Sequence, residues 1–126
     1  MTTMVCFQAA GAAYCIPVQA TRAVRTTSGM IALPAPGPDI AGILPGKPPL
    51  TVISPLGSGG THVLVVETDD RTFGLLVESV TGLQRVIDAD IRPQPDGQGR
   101  PLISGTIDNA GHLVLVADPT ALAARL

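Results

Sequence analysis

Two histidines, His62 and His112, are the first candidates for a catalytic or metal-binding role. Each lies at the start of an apolar segment, just after a glycine-containing turn. A zinc or catalytic role would need carboxylates or thiolates that converge with them. The carboxylates of Glu67, Asp69 and Asp70 cluster at the tip of a predicted hairpin, whereas acid–base chemistry needs them in a cleft with shifted pKa values. The pattern therefore predicts solvated turn residues rather than a reaction centre.

The remaining nucleophiles lack the neighbours that would activate them. Ser54 and Ser79 are not part of a Gly-x-Ser-x-Gly turn. Ser58-Gly59-Gly60 is not followed by the Gly-Lys-Ser/Thr of a phosphate-binding loop. Cys15 lies in an apolar strand rather than exposed beside a base. The sequence predicts a protein that is not an enzyme, with no catalytic residue, no metal site and no cofactor.

Cys6 and Cys15 are the only cysteines. They flank a turn predicted at Gly11-Ala12, so a hairpin would bring them together and a disulfide is geometrically open. Two small apolar thiols in a reducing cytosol are the preferred interpretation.

Composition excludes several classes of protein. The 126 residues are 45% hydrophobic and 14% charged, which is the opposite of a disordered chain. The net charge of -2 and the scarcity of aromatic residues argue against a nucleic-acid partner. No apolar run approaches the ~20 residues of a membrane helix, and the first residues lack the features of a signal peptide. We expect a cytoplasmic protein that is not inserted in a membrane.

Twelve Pro and fourteen Gly divide the chain into short segments rich in β-branched residues, which predicts nine or ten strands and one or two short helices. Strands are expected at residues 4–9, 13–18, 50–54, 62–68, 72–77, 80–87, 102–107 and 112–117. Residues 19–25 predict a helical turn that runs into a strand, and residues 31–38 and 93–101 predict proline-rich connections. Asp118 and Pro119 predict a capped C-terminal helix. A core of small aliphatic residues suits small barrels, and no internal repeat is evident.

Several of these segments resemble, in order and spacing, the CheW-like domain of chemotaxis coupling proteins and of the regulatory domain in CheA-type histidine kinases. The opening hairpin corresponds to Val5-Cys6-Phe7 and Tyr14-Cys15-Ile16-Pro17-Val18. Leu33-Pro34-Ala35-Pro36, followed by Ile40-Ala41-Gly42, resembles the proline-containing lead into a glycine. Phe73-Gly74-Leu75-Leu76-Val77-Glu78-Ser79-Val80 follows the family pattern hGhhVDxV, where h is apolar, with Glu78 in place of Asp. Ile103-Ser104-Gly105 and residues 112–118 resemble the closing strands.

The resemblance implies one mostly β domain over residues 1–126, built from two five-stranded SH3-like barrels that share an apolar core, with a groove between them. It also implies a non-catalytic adaptor that couples the regulatory domain of a CheA-type histidine kinase to the helical hairpin tip of a methyl-accepting chemoreceptor. Membrane-bound receptor arrays would recruit such a cytoplasmic protein.

Carried over position by position, the resemblance implies a partner-binding surface. Thr21 and Val24 would lie near the groove on one barrel, and Gly42 would set the turn that leads to the surface. The apolar contact area of the other barrel would come from Phe73, Val80 and Leu83, although an aliphatic or aromatic residue on a strand can equally belong to the core.

One departure from the family is the absence of its Asn-Leu-Arg-Gly motif. Lys47 lies near the position of that Arg, but an ammonium group cannot reproduce the bidentate fork of a guanidinium. One alternative is therefore a CheW-like protein of another motility or signalling pathway, which binds a kinase but not a standard receptor. An alternative of a different class is a small-molecule-binding or enzymatic β-barrel that uses His62 or His112.

Overall fold

The structure, a computed structural model, describes residues 1–33, 39–57, 59–93 and 102–126. Within these ranges it contains eleven strands, one α-helix of five residues and two 3-10 helices, at Val18–Ala20 and Asp88–Asp90. Two predicted connections lie partly outside the described residues. In the first, these are residues 34–38, which include Pro34-Ala35-Pro36 of the predicted motif; in the second, they are residues 94–101. The elements are β1 (Thr2–Ala9), β2 (Ala12–Pro17), β3 (Thr21–Thr26), β4 (Ile40–Leu44), β5 (Leu50–Ile53), β6 (His62–Glu67), β7 (Thr72–Val77), β8 (Ser79–Val86), β9 (Arg92–Pro93), β10 (Ile103–Asn109), β11 (His112–Ala117) and α1 (Pro119–Ala123).

Two hairpins turn on the same dipeptide, Ala-Gly. Ala10 and Gly11 between β1 and β2 have φ of 49° and 76°, and Ala110 and Gly111 between β10 and β11 have φ of 53° and 84°. Positive φ at both central residues is the requirement of the two-residue turn that matches the twist of antiparallel strands. The first turn lies one residue earlier than predicted, because Ala12 already belongs to β2.

The strands form two sheets of the same design. The six-stranded sheet has the order β8-β1-β2-β11-β10-β9, and the five-stranded sheet has the order β3-β6-β7-β5-β4. In each sheet two antiparallel hairpins meet through a parallel pair formed by their second strands, β2 with β11 and β5 with β7. The chain that follows β3 pairs with β4 through a bridge between Ile31 and Ile43. In the same way, the chain that follows β8 forms β9, which pairs with β10. The two sheets are thus the two SH3-like subdomains that the resemblance implied. One of them has six strands rather than the expected five, because it includes the two-residue strand β9.

The equivalence of the two sheets extends to single residues. Thr21 and Val24 of β3 pair with Val66 and Leu64 of β6, just as Val80 and Leu83 of β8 pair with Phe7 and Val5 of β1. Each edge strand contains an irregularity between its two pairs. The sequence has no evident repeat, whereas the pairing register shows that the architecture repeats.

Alternation along the strands divides the apolar residues among three cores. One face of each sheet contributes to a core shared by both sheets, which contains Val5, Phe7, Tyr14, Ile16, Leu64, Val66, Phe73 and Leu75. The other face of the five-stranded sheet encloses Leu44, Leu50, Val52, Val63, Val65 and Leu76. The other face of the six-stranded sheet encloses Met4, Cys15, Val86, Ile107 and Val116. The two subdomains therefore pack through a shared apolar core, as expected.

Helix α1 begins as predicted. The carboxylate of Asp118 accepts hydrogen bonds from the backbone N–H groups of Thr120 and Ala121 at 3.0 and 3.4 Å, and Pro119 occupies the first turn. Leu122 is buried in the shared core. Among the described residues no helix is long and apolar enough to cross a bilayer.

Candidate functional site, an apolar groove between the sheets

An open groove of about 250 Å³ runs between the edge strands β3 and β8, one from each sheet. Most of its wall is apolar. Its floor consists of residues that also reach the shared core, among them Val5 and Leu64. The groove is lined by Val5, Val18, Thr21, Arg22, Ala23, Val24, Leu64, Val80, Gly82 and Leu83.

Four of the residues predicted to bind a partner lie in this groove: Thr21 and Val24 on β3, and Val80 and Leu83 on β8. Val24 is 49% exposed and Leu83 is 68% exposed, although both are large and apolar. The hydroxyl of Thr21 donates a hydrogen bond to the carbonyl of Val18 at 2.8 Å, which fixes this side chain at the mouth of the groove. The structure thus brings together residues that are 59 positions apart in the chain.

The edge strands turn these side chains into the groove through β-bulges. The register of β3 against β6 shifts between Thr21 and Ala23, which makes Arg22 the extra residue. The register of β8 against β1 shifts where Val80 and Gly82 face Phe7 and Cys6, which makes Thr81 the extra residue. A bulge bends and twists its strand and re-aims the neighbouring side chains. Thr21 and Val24, three residues apart, consequently share one face of β3.

Phe73 does not line the groove, so its predicted contribution to the contact area is wrong. Its side chain is fully buried in the shared core. Phe73 pairs with Val66 on the face of the five-stranded sheet that packs against the other sheet. An aromatic side chain on this central strand stabilises the packing of the two sheets, and a partner cannot reach it.

Gly42 does not set a turn, contrary to the prediction. It is a buried residue within β4, next to a register shift against β5. A Cβ at this position would lie 2.7 Å from the carbonyl oxygen of Ile31. The glycine is needed because the backbone after β3 passes directly over β4 there.

Lys47 is exposed in the connection between β4 and β5 and does not line the groove. Strand β4 lies at the edge of the five-stranded sheet opposite to β3. The structure therefore does not bring Lys47 together with the four groove residues in the lining of the groove.

Six lining residues were not predicted: Val5, Val18, Arg22, Ala23, Leu64 and Gly82. Val18 begins the 3-10 helix before β3, and Gly82 has a φ of +146°, which favours glycine. The glycine inside a strand pattern is a signal for a bulge that could have been used. No local signal shows that β3 and β8 approach each other, because they belong to different sheets.

Among the described residues, the charged and ionisable side chains form pairs or lie apart. Arg22 forms a bidentate ion pair with Glu67, with nitrogen–oxygen distances of 2.9 and 3.1 Å, and hydrogen bonding to Arg22 lowers the pKa of Glu67. His62 lies in the five-stranded sheet and His112 in the six-stranded sheet. Within the described ranges no three His, Cys, Asp or Glu side chains form a group that could hold a metal ion.

Cys6 and Cys15 are direct register partners across β1 and β2, and both thiols are free. Burial raises the pKa of both thiols, and that of Cys15 reaches about 12. A neutral thiol is a poor nucleophile, so the pair behaves as two small apolar side chains.

Comparisons with known proteins agree with this architecture. The family model of the CheW-like domain matches residues 44–126. The crystal structure of the scaffolding protein TtCheW from Thermoanaerobacter tengcongensis superposes with a TM-score of 0.82 at 18% sequence identity, over 93% of this chain and 84% of that chain. That likeness shows the fold. A comparison with curated proteins gave no match.

Proposed function

The chain belongs to the CheW-like domain family, and from that premise we propose that it is a non-catalytic adaptor of chemotaxis-type signalling. It would hold a CheA-type histidine kinase and the helical tip of a chemoreceptor-like partner in one complex. The observation that supports this proposal is the groove between β3 and β8, which leaves large apolar side chains open to solvent. Singly exposed apolar residues are ordinary on a surface, whereas adjacent ones in a concave site favour a binding surface.

The physical basis is burial of the groove by an amphipathic helix, whose apolar residues at i, i+3, i+4 and i+7 would enter it. Covering a leucine or valine side chain completely stabilises a complex by roughly 1.5–3 kcal/mol. Because Leu83 is 68% exposed, covering it would contribute about 1–2 kcal/mol, or about five- to thirtyfold in affinity. Val24 and the bodies of Thr21 and Val80 would add to this contribution.

The kinase side of the proposal rests on family membership. The regulatory domain of a CheA-type kinase resembles this fold, and the resemblance implies that the ends of the barrels pair. The groove would then stay open for the receptor while the kinase is bound. Membrane-bound receptors would in this way recruit the protein to their arrays.

The experiment that tests the groove measures binding of a chemoreceptor-tip helical hairpin by isothermal titration calorimetry. Leu83→Ala should weaken binding about five- to thirtyfold and leave the unfolding free energy unchanged within about 0.5 kcal/mol. The matched control is Leu113→Ala, because Leu113 is 63% exposed on β11 but does not line the groove. Equal affinities for the two variants would contradict the proposal.

The kinase is tested separately with its regulatory domain as the titrant. We expect binding in the micromolar range or tighter, unaffected by Leu83→Ala. No binding at high micromolar protein would contradict the adaptor function.

A second function is favoured by Lys47, which lies in a proline-rich connection where the family has its Asn-Leu-Arg-Gly motif. In this version the chain serves another pathway and binds a kinase but not a standard receptor. Lys47→Arg should then create receptor binding that the unmodified chain lacks, because Arg donates two parallel hydrogen bonds to a carboxylate. Strong receptor binding by the unmodified chain, unchanged in Lys47→Arg, would rule this version out.

A further inference from the structure

The groove lies where two equivalent halves of the molecule meet. The hairpins β6–β7 and β1–β2 have matching registers. In the first hairpin Leu64 lies opposite Leu75 and Val66 opposite Phe73. In the second hairpin Val5 lies opposite Ile16 and Phe7 opposite Tyr14. All eight side chains belong to the shared core. Two equivalent sheets that pack through the same face are related by an approximate two-fold axis, as in an isologous dimer.

This axis exchanges β3 and β8, so the groove has two equivalent walls. The register places Thr21 at the position of Val80, Val24 at the position of Leu83, and Thr26 at the position of Arg85. A partner that only recognised the shape of the groove could therefore bind in two orientations, related by a rotation of about 180°. The side chains on the walls must distinguish these orientations.

The two walls differ in size and in charge. Val24 lines the β3 wall, whereas the larger Leu83 lines the β8 wall. Thr26 and Arg85 lie two residues further along β3 and β8, beside the groove and beyond the residues that line it. Arg85 lies two residues after Leu83 with no register shift between them, which puts both side chains on one face of β8, about 7 Å apart along the strand. The β8 wall therefore carries the larger apolar side chain and has Arg85 beside its end.

The charge on Arg85 is available to a partner. β3 and β8 together contain three arginines and no acidic residue, although the chain has a net charge of -2. Arg22 is neutralised by Glu67, and Arg25 pairs with Val63 on the opposite face of β3. Arg85 is exposed and forms no ion pair with any of the described residues.

We propose that Leu83 and Arg85 select one of two pseudo-equivalent orientations of a partner helix in the groove, the one that places an acidic side chain of that helix against Arg85. The inference rests on the proposed function, since it concerns the occupant of the same groove. It adds the chemistry of the partner: an apolar helical stripe with a carboxylate beside one end of it. An exposed ion pair of this kind changes affinity about two- to fivefold, and the difference between leucine and valine adds to it.

The test uses the receptor-tip hairpin with a nitroxide on one end of one helix and the ¹⁵N-labelled chain. Paramagnetic broadening of backbone amides reports which end of the groove the nitroxide approaches. A swap variant with Val24→Leu, Thr26→Arg, Leu83→Val and Arg85→Thr exchanges the walls and keeps the composition and net charge. Arg92→Thr is the charge control, because β9 lies at the opposite edge of the sheet from β8.

We expect the unmodified chain and Arg92→Thr to show one broadening pattern, and the swap variant to shift the pattern to the other end of the groove. Arg85→Thr alone should weaken binding about two- to fivefold. Binding of normal affinity with a pattern that the swap leaves unchanged would overturn the orientation proposal and leave the adaptor function standing. Absence of binding by the unmodified chain would overturn the receptor function itself.

Discussion

Gly74, the glycine of the Phe73-Gly74-Leu75-Leu76-Val77 strand, makes room for the interior of the five-stranded sheet. A Cβ at this position would lie 2.5 Å from Cγ1 of Val63, 3.1 Å from Cγ2 of Val52 and 3.3 Å from Cδ2 of Leu50. Val63 and Val52 are fully buried and β-branched, so neither can rotate away freely. Gly74→Ala therefore forces one extra carbon into a filled core.

Overpacking by one carbon costs about 1–3 kcal/mol. Replacing Gly with Ala also lowers the conformational entropy of the unfolded chain, which stabilises the folded state by about 0.4–1 kcal/mol and offsets part of the overpacking cost. This gain applies here because Gly74 does not have a positive φ. We expect Gly74→Ala to lower the free energy of unfolding by about 1–2 kcal/mol. The measurement is urea unfolding followed by far-UV circular dichroism, since the chain has no Trp.

A double-mutant cycle separates this cause from others. Val63→Ala alone should cost about 2 kcal/mol for its two lost carbons and the cavity they leave. In Gly74→Ala with Val63→Ala the new methyl group occupies part of that cavity, so the combined cost should be smaller than the sum by about 1 kcal/mol. Gly59→Ala is the matched control, because a Cβ there meets nothing within 4 Å. Additive costs, or a Gly74→Ala effect no larger than that of Gly59→Ala, would refute the reasoning.

Three further predictions concern the core, the helix cap and a thiol. Phe73→Ala should destabilise the protein by about 3–5 kcal/mol in chemical denaturation, because this side chain is fully buried. A cost below about 1 kcal/mol would contradict the burial of Phe73 in the shared core. Asp118→Ala should lower the free energy of unfolding by about 1 kcal/mol and Asp118→Asn by much less, since the amide oxygen still accepts from the N–H of Thr120. Equal costs would show that the cap hydrogen bond is not the cause of the destabilisation. Burial raises the pKa of Cys15 from 9.0 to about 12, so the unfolded chain loses its proton first and stability should fall as the pH rises from 9 towards 12. Cys15→Ala should make this decline shallower, and an unchanged slope would contradict the assignment.

Strand segments and caps were predictable because their signals are local. The hairpin of β6 and β7 and the helix beginning at Asp118 follow from alternation, turn residues and capping chemistry. The burial of Phe73 in the shared core and the position of Gly42 within β4 were not predictable in this way. Whether an apolar residue faces a partner or the core depends on which sheet covers it, and that is decided by contacts between distant segments.

The two sheets repeat one architecture with little sequence similarity, and the residues that they still share show which positions tolerate only one residue type. Ile40-Ala41-Gly42 and Ile103-Ser104-Gly105 begin β4 and β10 at equivalent positions, and a Cβ on either glycine would lie 2.7 Å from the carbonyl oxygen of the residue that crosses over it. A backbone oxygen cannot move aside, so glycine is retained in both halves.

Elsewhere in the repeat the neighbours are side chains that can change together. At the position equivalent to Gly74 the other half has Cys15, and in place of Val63 it has Met4, a flexible side chain that accommodates the thiol. Such changes alter the side chains and erase sequence similarity while the register of the two hairpins stays the same. The same freedom allows Thr26 and Arg85 to differ, which is how a groove with two equivalent walls can become selective.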